Sequence, residues 1–219
     1  MSYATAGAAI DALSAAMLIA AIGIVWGRSL GWVLASFAAQ SLMLAAAALS
    51  AGLATGSTHV LVGAGLTFAV KVMIAPAMIW VLVRKLSTSH DVQASLGRRT
   101  NVVIGVIIGL VCARALDLQP FHTSIGAERV LPTAVAVMLI GIQVMVTHRQ
   151  ALMQVAGFLV LENGMALAAL TAVYGMPLVI EFGVFLDLLL AVFVAFVYTQ
   201  RMHVMFGSLD TEHLRSLRG

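Results

Sequence analysis

The amino-acid sequence predicts an all-α fold, a polytopic membrane bundle of about seven transmembrane helices. Of the 219 residues, 62% are hydrophobic and 10% are charged. A water-soluble domain carries roughly 25% charged residues, so the surface of this chain is unsuited to water. Its apolar runs reach the length of about 20 residues that a helix needs to cross a bilayer. They are continuous rather than alternating, which excludes a transmembrane β-barrel.

Each predicted span is an apolar run bounded by polar or charged residues. The first lacks a basic start and is followed by Arg28, so we interpret it as a retained helix rather than a cleaved signal peptide. Pro76 is expected to bend the third span because it removes a backbone donor. The fourth is short and ends near Arg114. The spans are residues 5–26, 31–54, 60–83, 101–118, 131–147, 151–173 and 178–200, and residues 201–219 form a polar tail.

Basic residues predict the orientation, because Lys and Arg of short loops favour the cytoplasmic side. With seven spans, Arg114 and Arg129 fall on one side and nine basic residues on the other. We therefore expect a multi-pass protein of the cell (inner or plasma) membrane, with its N-terminus outside and its C-terminal tail in the cytoplasm. The nine residues are Arg28, Arg84, Lys85, Arg98, Arg99, Arg149, Arg201, Arg215 and Arg218.

Three charged residues are predicted to meet at the middle of the membrane. With a rise of about 1.5 Å per residue, Glu162, Asp187 and Lys71 each lie about 14–16 Å into a hydrocarbon core about 30 Å thick. Ionisable groups at that depth face the bundle interior or water and often mark proton or ion routes. Burial disfavours the charged form of an acid and a nearby lysine favours it, so a carboxyl between these effects exchanges protons near neutral pH. We therefore predict proton-transfer roles for these three residues.

A structural interpretation of the same residues stays open. In it, a neutral Glu162 hydrogen-bonds between helices, and Lys71 pairs with Asp187 only to hold the bundle together. A further hypothesis is a parallel repeat, in which spans one to three match spans five to seven. It aligns AQSLMLAAAALSAG (39–52) with LENGMALAALTAVYG (161–175), so that Gln40 takes the place of Glu162.

Other kinds of site are not indicated. The single cysteine, Cys112, excludes an internal disulfide and a Cys-based metal site. The six histidines lie mostly in predicted loops or the tail and form no close metal-ligand pair. The sequence has no phosphate loop, dinucleotide fingerprint or nucleophile elbow. We therefore predict no catalytic centre, cofactor or metal in this chain and no nucleic-acid partner.

Three stretches carry a family resemblance: LENGMALAAL (161–170), EFGVFLDLLLAVFVAFVYTQ (181–200) and FGSLDTEHLRSLRG (206–219). They resemble the hydrogenase-4 component E family of formate hydrogenlyase-type, membrane-bound NiFe hydrogenases. Within the transmembrane bundle, residues 1–200, the three-helix unit of residues 131–200 also resembles subunit K of bacterial complex I. Subunit K has one carboxylate in its second helix and one in its third. Glu162 matches the first by helix and depth, Asp187 matches the second, and Lys71 has no counterpart.

The resemblance implies a non-catalytic membrane subunit of a NiFe hydrogenase or complex I-like assembly, with buried carboxylates on a proton-translocation path. The implied partners are antiporter-like membrane subunits, a complex I-like membrane anchor subunit and NiFe hydrogenase-type peripheral subunits, within the lipid bilayer. Two alternatives remain. One is a stand-alone proton-coupled transporter of a small solute, and the other is a purely structural scaffold subunit.

Overall fold

The computed structural model describes residues 2–77, 79–80, 97–116, 130–148 and 150–172 of the chain. Within these residues the secondary structure is helical and contains no β-strand, which confirms the predicted all-α class. Six helices are described, and the third changes from α to π along its length. They are α1 Tyr3–Trp26, α2 Leu30–Thr55, α3 Thr58–Ala77, α4 Arg98–Leu116, α5 Val130–Thr147 and α6 Ala151–Ala172.

Five of these helices are long and apolar enough to cross a membrane, namely α1, α2, α3, α5 and α6. By length and composition they identify a membrane protein. The helix predicted as the fourth span, α4, is not among the five. It begins with Arg98 and Arg99 and carries Arg114 in its last turn, which makes it less apolar than the others. Residues 178–200 and the tail 201–219 lie outside the described residues, so the count of seven spans and the orientation of the termini stay predictions.

Short capped turns join the first helices. Ser29 caps the start of α2, because its hydroxyl accepts a hydrogen bond from the backbone N–H of Trp32 at 3.3 Å. The indole N–H of Trp32 donates to the carbonyl of Gly23 at 2.8 Å. This bond ties the start of α2 to the end of α1. The end of α2 is marked by Gly56, whose φ of +67° lies in the left-handed region that glycine adopts without a steric penalty.

Two helical hairpins lie side by side. One is α1 with α2 and the other is α5 with α6, and α1 packs against α5 while α2 packs against α6. The starts of α1 and α5 share one hydrophobic cluster with the ends of α2 and α6. Therefore α1 runs parallel to α5, and α2 runs parallel to α6. The parallel repeat requires this arrangement, and the repeat itself stays a prediction. The cluster contains Ala6, Ile10, Met17, Leu44, Ala47, Ala51, Val60, Val130, Ala134 and Leu167.

Three glycines bring the backbones of α5 and α6 into contact. A Cβ atom on Gly141 would lie 2.6 Å from the backbone nitrogen of Leu161. One on Gly157 would lie 2.8 Å from the carbonyl oxygen of Gly141, and one on Gly164 would lie 2.9 Å from that of Ala134. Backbone atoms cannot swing away as the end of a side chain can. The close approach therefore fixes the rotation of α6 about its axis, and with it the direction in which its polar side chains point.

The middle of α3 is a π-helix, residues Phe68–Ile74. The N–H of Ala75 donates to the carbonyl of Val70, five positions earlier, as π geometry requires. Pro76 follows at once, and it has no N–H to give to a carbonyl of the preceding turn. The disturbance expected from this proline therefore takes the form of a π segment, a feature that is frequent at functional sites. Of the seven residues in the segment, only Lys71 is buried.

Candidate functional site

A buried ion pair joins α3 to α6. The Nζ atom of Lys71 lies 2.9 Å from Oε1 of Glu162, and the two side chains are 5% and 2% exposed. Glu162 lies eleven positions after the start of α6, about 16 Å along the helix axis. If a hydrocarbon core of about 30 Å begins at the start of α6, this distance corresponds to the middle of the membrane.

A chain of side-chain amides provides a second set of contacts to the lysine. Nζ of Lys71 donates to Oδ1 of Asn163 at 3.3 Å. Nδ2 of Asn163 donates to Oε1 of Gln40 at 3.3 Å and to Oγ of Ser41 at 3.0 Å. Nε2 of Gln40 in turn donates to the carbonyl of Met17 at 3.3 Å. The network therefore connects α1, α2, α3 and α6, and its side chains are buried.

The direction of these hydrogen bonds is set by the charge on Lys71. An ammonium group only donates, so Asn163 must turn its oxygen toward the lysine and its NH₂ group toward α2. Gln40 must then accept with its oxygen and donate with its nitrogen. Amides do not titrate at physiological pH, so Asn163 and Gln40 can orient the lysine but cannot gain or lose a proton. The ionisable side chains of this network are those of Lys71 and Glu162.

The arrangement balances two large and opposing energies. Opposite charges 2.9 Å apart attract by roughly 6 kcal/mol at an effective dielectric constant of about 20. Removing both ions from water costs several kcal/mol each. The amide network lowers this cost because it gives Lys71 a second acceptor.

The structure brings together two of the three residues predicted to transfer protons. Lys71 and Glu162 meet in an ion pair, and the third, Asp187, lies outside the described residues. The depth of the pair in a membrane stays a prediction. The structural alternative had paired Lys71 with Asp187, whereas the ion pair in the structure joins Lys71 to Glu162. The proton-transfer roles of all three residues stay predictions.

Sequence reasoning missed the amides that surround the pair. Asn163 directly follows Glu162, and Gln40 had been noted only as the counterpart of Glu162 in the hypothetical repeat. In the structure Gln40 is hydrogen-bonded to Asn163, so it lies at the height of Glu162 as that alignment requires. The sequence did offer a signal for both residues, since Gln40 and Asn163 are each an uncharged amide within an apolar run.

A second group of polar side chains lies where α5 ends. Nδ1 of His148 contacts the carbonyl of Val144 at 2.9 Å and Oγ1 of Thr147 at 3.1 Å. The hydroxyl of Thr147 donates to the carbonyl of Gln143 at 2.7 Å. Because a carbonyl only accepts, the hydrogen of the His148 ring is on Nδ1. Burial lowers the pKa of His148, and its hydrogen bond to Val144 works in the opposite direction.

In the described ranges, no three His, Cys, Asp or Glu side chains converge in a way that could hold a metal ion. Cys112 is a free, buried thiol on α4. The predicted lack of a metal and a cofactor in this chain stays a prediction, because part of the chain lies outside these ranges.

Known proteins match the chain over nearly its whole length. It is 33% identical to Uncharacterized protein Rv0085 of Mycobacterium tuberculosis over 223 residues, which cover 100% of both chains. It is 22% identical over 210 residues to hydrogenase-4 component E of Escherichia coli K12 and of Shigella flexneri, covering 96% of this chain and 97% of each relative. The chain belongs to one family with the Mycobacterium tuberculosis protein and is a homologue of hydrogenase-4 component E.

This homology confirms the resemblance to hydrogenase-4 component E and covers 96% of the chain. No family model and no solved structure matches the chain. The similarity of residues 131–200 to subunit K of complex I stays a prediction, as do the bounds of that unit.

Proposed function

We propose that this chain is a non-catalytic, multi-pass subunit of a hydrogenase complex in the plasma membrane, and that Lys71 and Glu162 are a proton-transfer station within it. Homology supports the first part, because the Escherichia coli relative is by name a component of hydrogenase 4. The ion pair supports the second part. It is buried, is predicted to lie near mid-membrane depth and contains an acid and a base 2.9 Å apart.

The proposed transfer uses the mutual dependence of the two charges. Protonation of Glu162 removes the anion that stabilises Lys71 and leaves a single buried cation, which is costly in a medium of low dielectric constant. Lys71 then gives up a proton toward the other side of the pair, and the neutral lysine later takes the proton from Glu162. Each cycle restores the ion pair and moves one proton past it. Redox chemistry in the peripheral NiFe hydrogenase-type subunits supplies the energy.

Asp187 is proposed as the next acid on the path, at a similar depth in the seventh predicted span. The neighbours proposed for this subunit are antiporter-like membrane subunits on one side and a complex I-like anchor subunit on the other. This placement makes the chain a link between the redox arm and the proton-pumping subunits.

The test is Glu162→Gln in the intact complex, which keeps the shape of the side chain and removes its acid. We expect the complex to assemble, because the amide oxygen introduced at this position and Oδ1 of Asn163 both still accept hydrogen bonds from Lys71. Hydrogen turnover with a viologen electron donor should be normal, and proton movement into inverted vesicles should fall at least tenfold. Glu162→Asp is the matched control, because it keeps the acid and should retain part of the proton movement. Unchanged proton movement in Glu162→Gln would overturn the proposal.

A scaffold role is the second candidate, because the network fastens four helices to one another. This role predicts a different outcome for the same variants. Glu162→Gln would then reduce the amount of assembled complex, and whatever complex did assemble would move protons at the normal ratio to hydrogen turnover.

A further inference from the structure

A second buried polar site lies between α4 and α5, apart from the ion pair. Asn101 is in the first turn of α4 and is fully buried, and Gln143 is in the last turns of α5 and is also buried. Nε2 of Gln143 donates to the backbone carbonyl of Asn101 at 2.6 Å. This bond brings the start of α4 against the end of α5.

Three polar atoms of this site have no hydrogen-bond partner among the described residues. They are Oδ1 and Nδ2 of Asn101 and Oε1 of Gln143. Buried polar atoms in native proteins are nearly always bonded to protein or to ordered water. Each atom left unbonded costs roughly 1–3 kcal/mol, so three together would be a large cost at one place.

The chemistry of the three atoms selects the ligand. Two are acceptors and one is a donor. A water molecule donates two hydrogen bonds and accepts through its oxygen, so one or two waters satisfy all three atoms. A metal cation would face the NH₂ group of Asn101, and an anion would face two carbonyl oxygens. We propose that the site formed by Asn101 and Gln143 binds ordered water between α4 and α5.

The surroundings of the site support this ligand. Gly105 lies one turn after Asn101 and faces the same site, because a Cβ atom there would lie 3.4 Å from Oε1 of Gln143. Gln143 is four residues from the end of α5, about 6 Å along the axis. Through Thr147 and His148, polar groups continue from the site to that end of the helix.

The water has a second consequence, which rests on the proposed function. Glu162 lies about 16 Å from the end of the bundle where α5 passes into α6, and the water lies about 6 Å from the same end. Measured along the helix axis, the bound water would lie about 10 Å from the ion pair, compared with about 16 Å for the end of the bundle. It would serve as an access point for protons.

The test is Asn101→Leu, which keeps the size of the side chain and removes both polar atoms. If water is bound, the variant loses hydrogen bonds and strands Gln143, so the melting temperature of the detergent-solubilised complex falls by roughly 2–10 °C. If the site is dry, the same change removes two unbonded atoms and raises the melting temperature, which would overturn the proposal. Thr100→Val, at an exposed position of the same turn, is the matched control and should leave the melting temperature unchanged.

A second experiment is needed because Asn101→Leu could also lower stability through poor packing of the new side chain. A high-resolution structure of the native complex should show solvent density within hydrogen-bond distance of Asn101 and Gln143, and well-resolved amides without it would refute the site. Proton movement by the assembled Asn101→Leu complex tests the access role separately. If Asn101→Leu loses proton movement while Glu162→Gln keeps it, the ion-pair station is refuted and the water site is not.

Discussion

Asn163 accepts a hydrogen bond from Lys71 across 92 positions of the sequence, although the adjacent Glu162 already binds the same ammonium group. Two neighbouring residues of α6 thus hold one lysine of α3. The carboxylate of Glu162 balances the charge of Lys71, and the amide of Asn163 links the lysine to Gln40 and Ser41 of α2.

Removing the lysine should harm the protein more than removing both ions. Lys71→Met leaves the carboxylate of Glu162 buried without its ion-pair partner, and breaking one half of a buried pair costs about 3–5 kcal/mol. The double variant Lys71→Met with Glu162→Gln has no buried charge, so the amount of assembled complex should recover on native gels. Equal loss of assembly in the single and double variants would mean that the two charges do not stabilise each other.

Asn163→Leu should reduce coupling without removing either ion. The change removes the acceptor for Lys71 and the donor for Gln40, so the ammonium group is less well fixed beside Glu162. We expect an assembled complex whose proton movement falls several-fold and whose dependence on pH is shifted. Asn163→Gln keeps both hydrogen-bonding groups and is the rescue variant. A pH profile identical to that of the wild type would indicate that the amide has no positioning role.

Gly157→Ala should destabilise the contact between α5 and α6. The added methyl group would meet the carbonyl oxygen of Gly141 at 2.8 Å, and overpacking of this kind costs roughly 1–3 kcal/mol. The melting temperature of the purified complex should fall by several degrees. Gly65→Ala is the matched control, because a Cβ atom there has nothing within 4 Å. Similar stability of the two variants would contradict the close approach of the helices.

His148, which follows the last residue of α5, should make stability depend on pH. Burial lowers its pKa in the folded protein below the value of about 6.5 expected in the unfolded chain. The unfolded chain therefore binds the proton first, and stability should fall as the pH is lowered from about 6.5 toward the folded pKa. Melting temperatures measured across this range should show the fall, and His148→Gln should flatten it. An equally steep fall in that variant would assign the effect to other groups.

The sequence was sufficient to place Lys71 and Glu162 at one depth, because a constant rise per residue converts position into distance along the helix axis. It was not sufficient to show that they face each other. Facing depends on helix rotation, which the glycine contacts of Gly157 set for α6 and the π segment alters for α3. Pro76 indicated that α3 is distorted but not in what way, because a proline can cause a kink, a break or a wider turn in a helix.

Two other features were hidden for different physical reasons. Asn101 stands directly after Arg98, Arg99 and Thr100, so the sequence gives it the character of a solvent-exposed helix start, and only its packing against α5 reveals that it is buried. In the same way, α4 was predicted as a span because its middle is apolar, although the arginines at its ends set it apart from the other five helices.

The π segment of α3 has an inner side and an outer side with different neighbours. Its single buried side chain, that of Lys71, points into the bundle, while Phe68, Met73 and Ile74 are exposed on the outside. Whatever lies against that outer side, whether acyl chains or another polypeptide, therefore presses on the same short stretch of backbone that carries the ammonium group. Such a neighbour would therefore contact the backbone that carries Lys71 without contacting either charge of the pair.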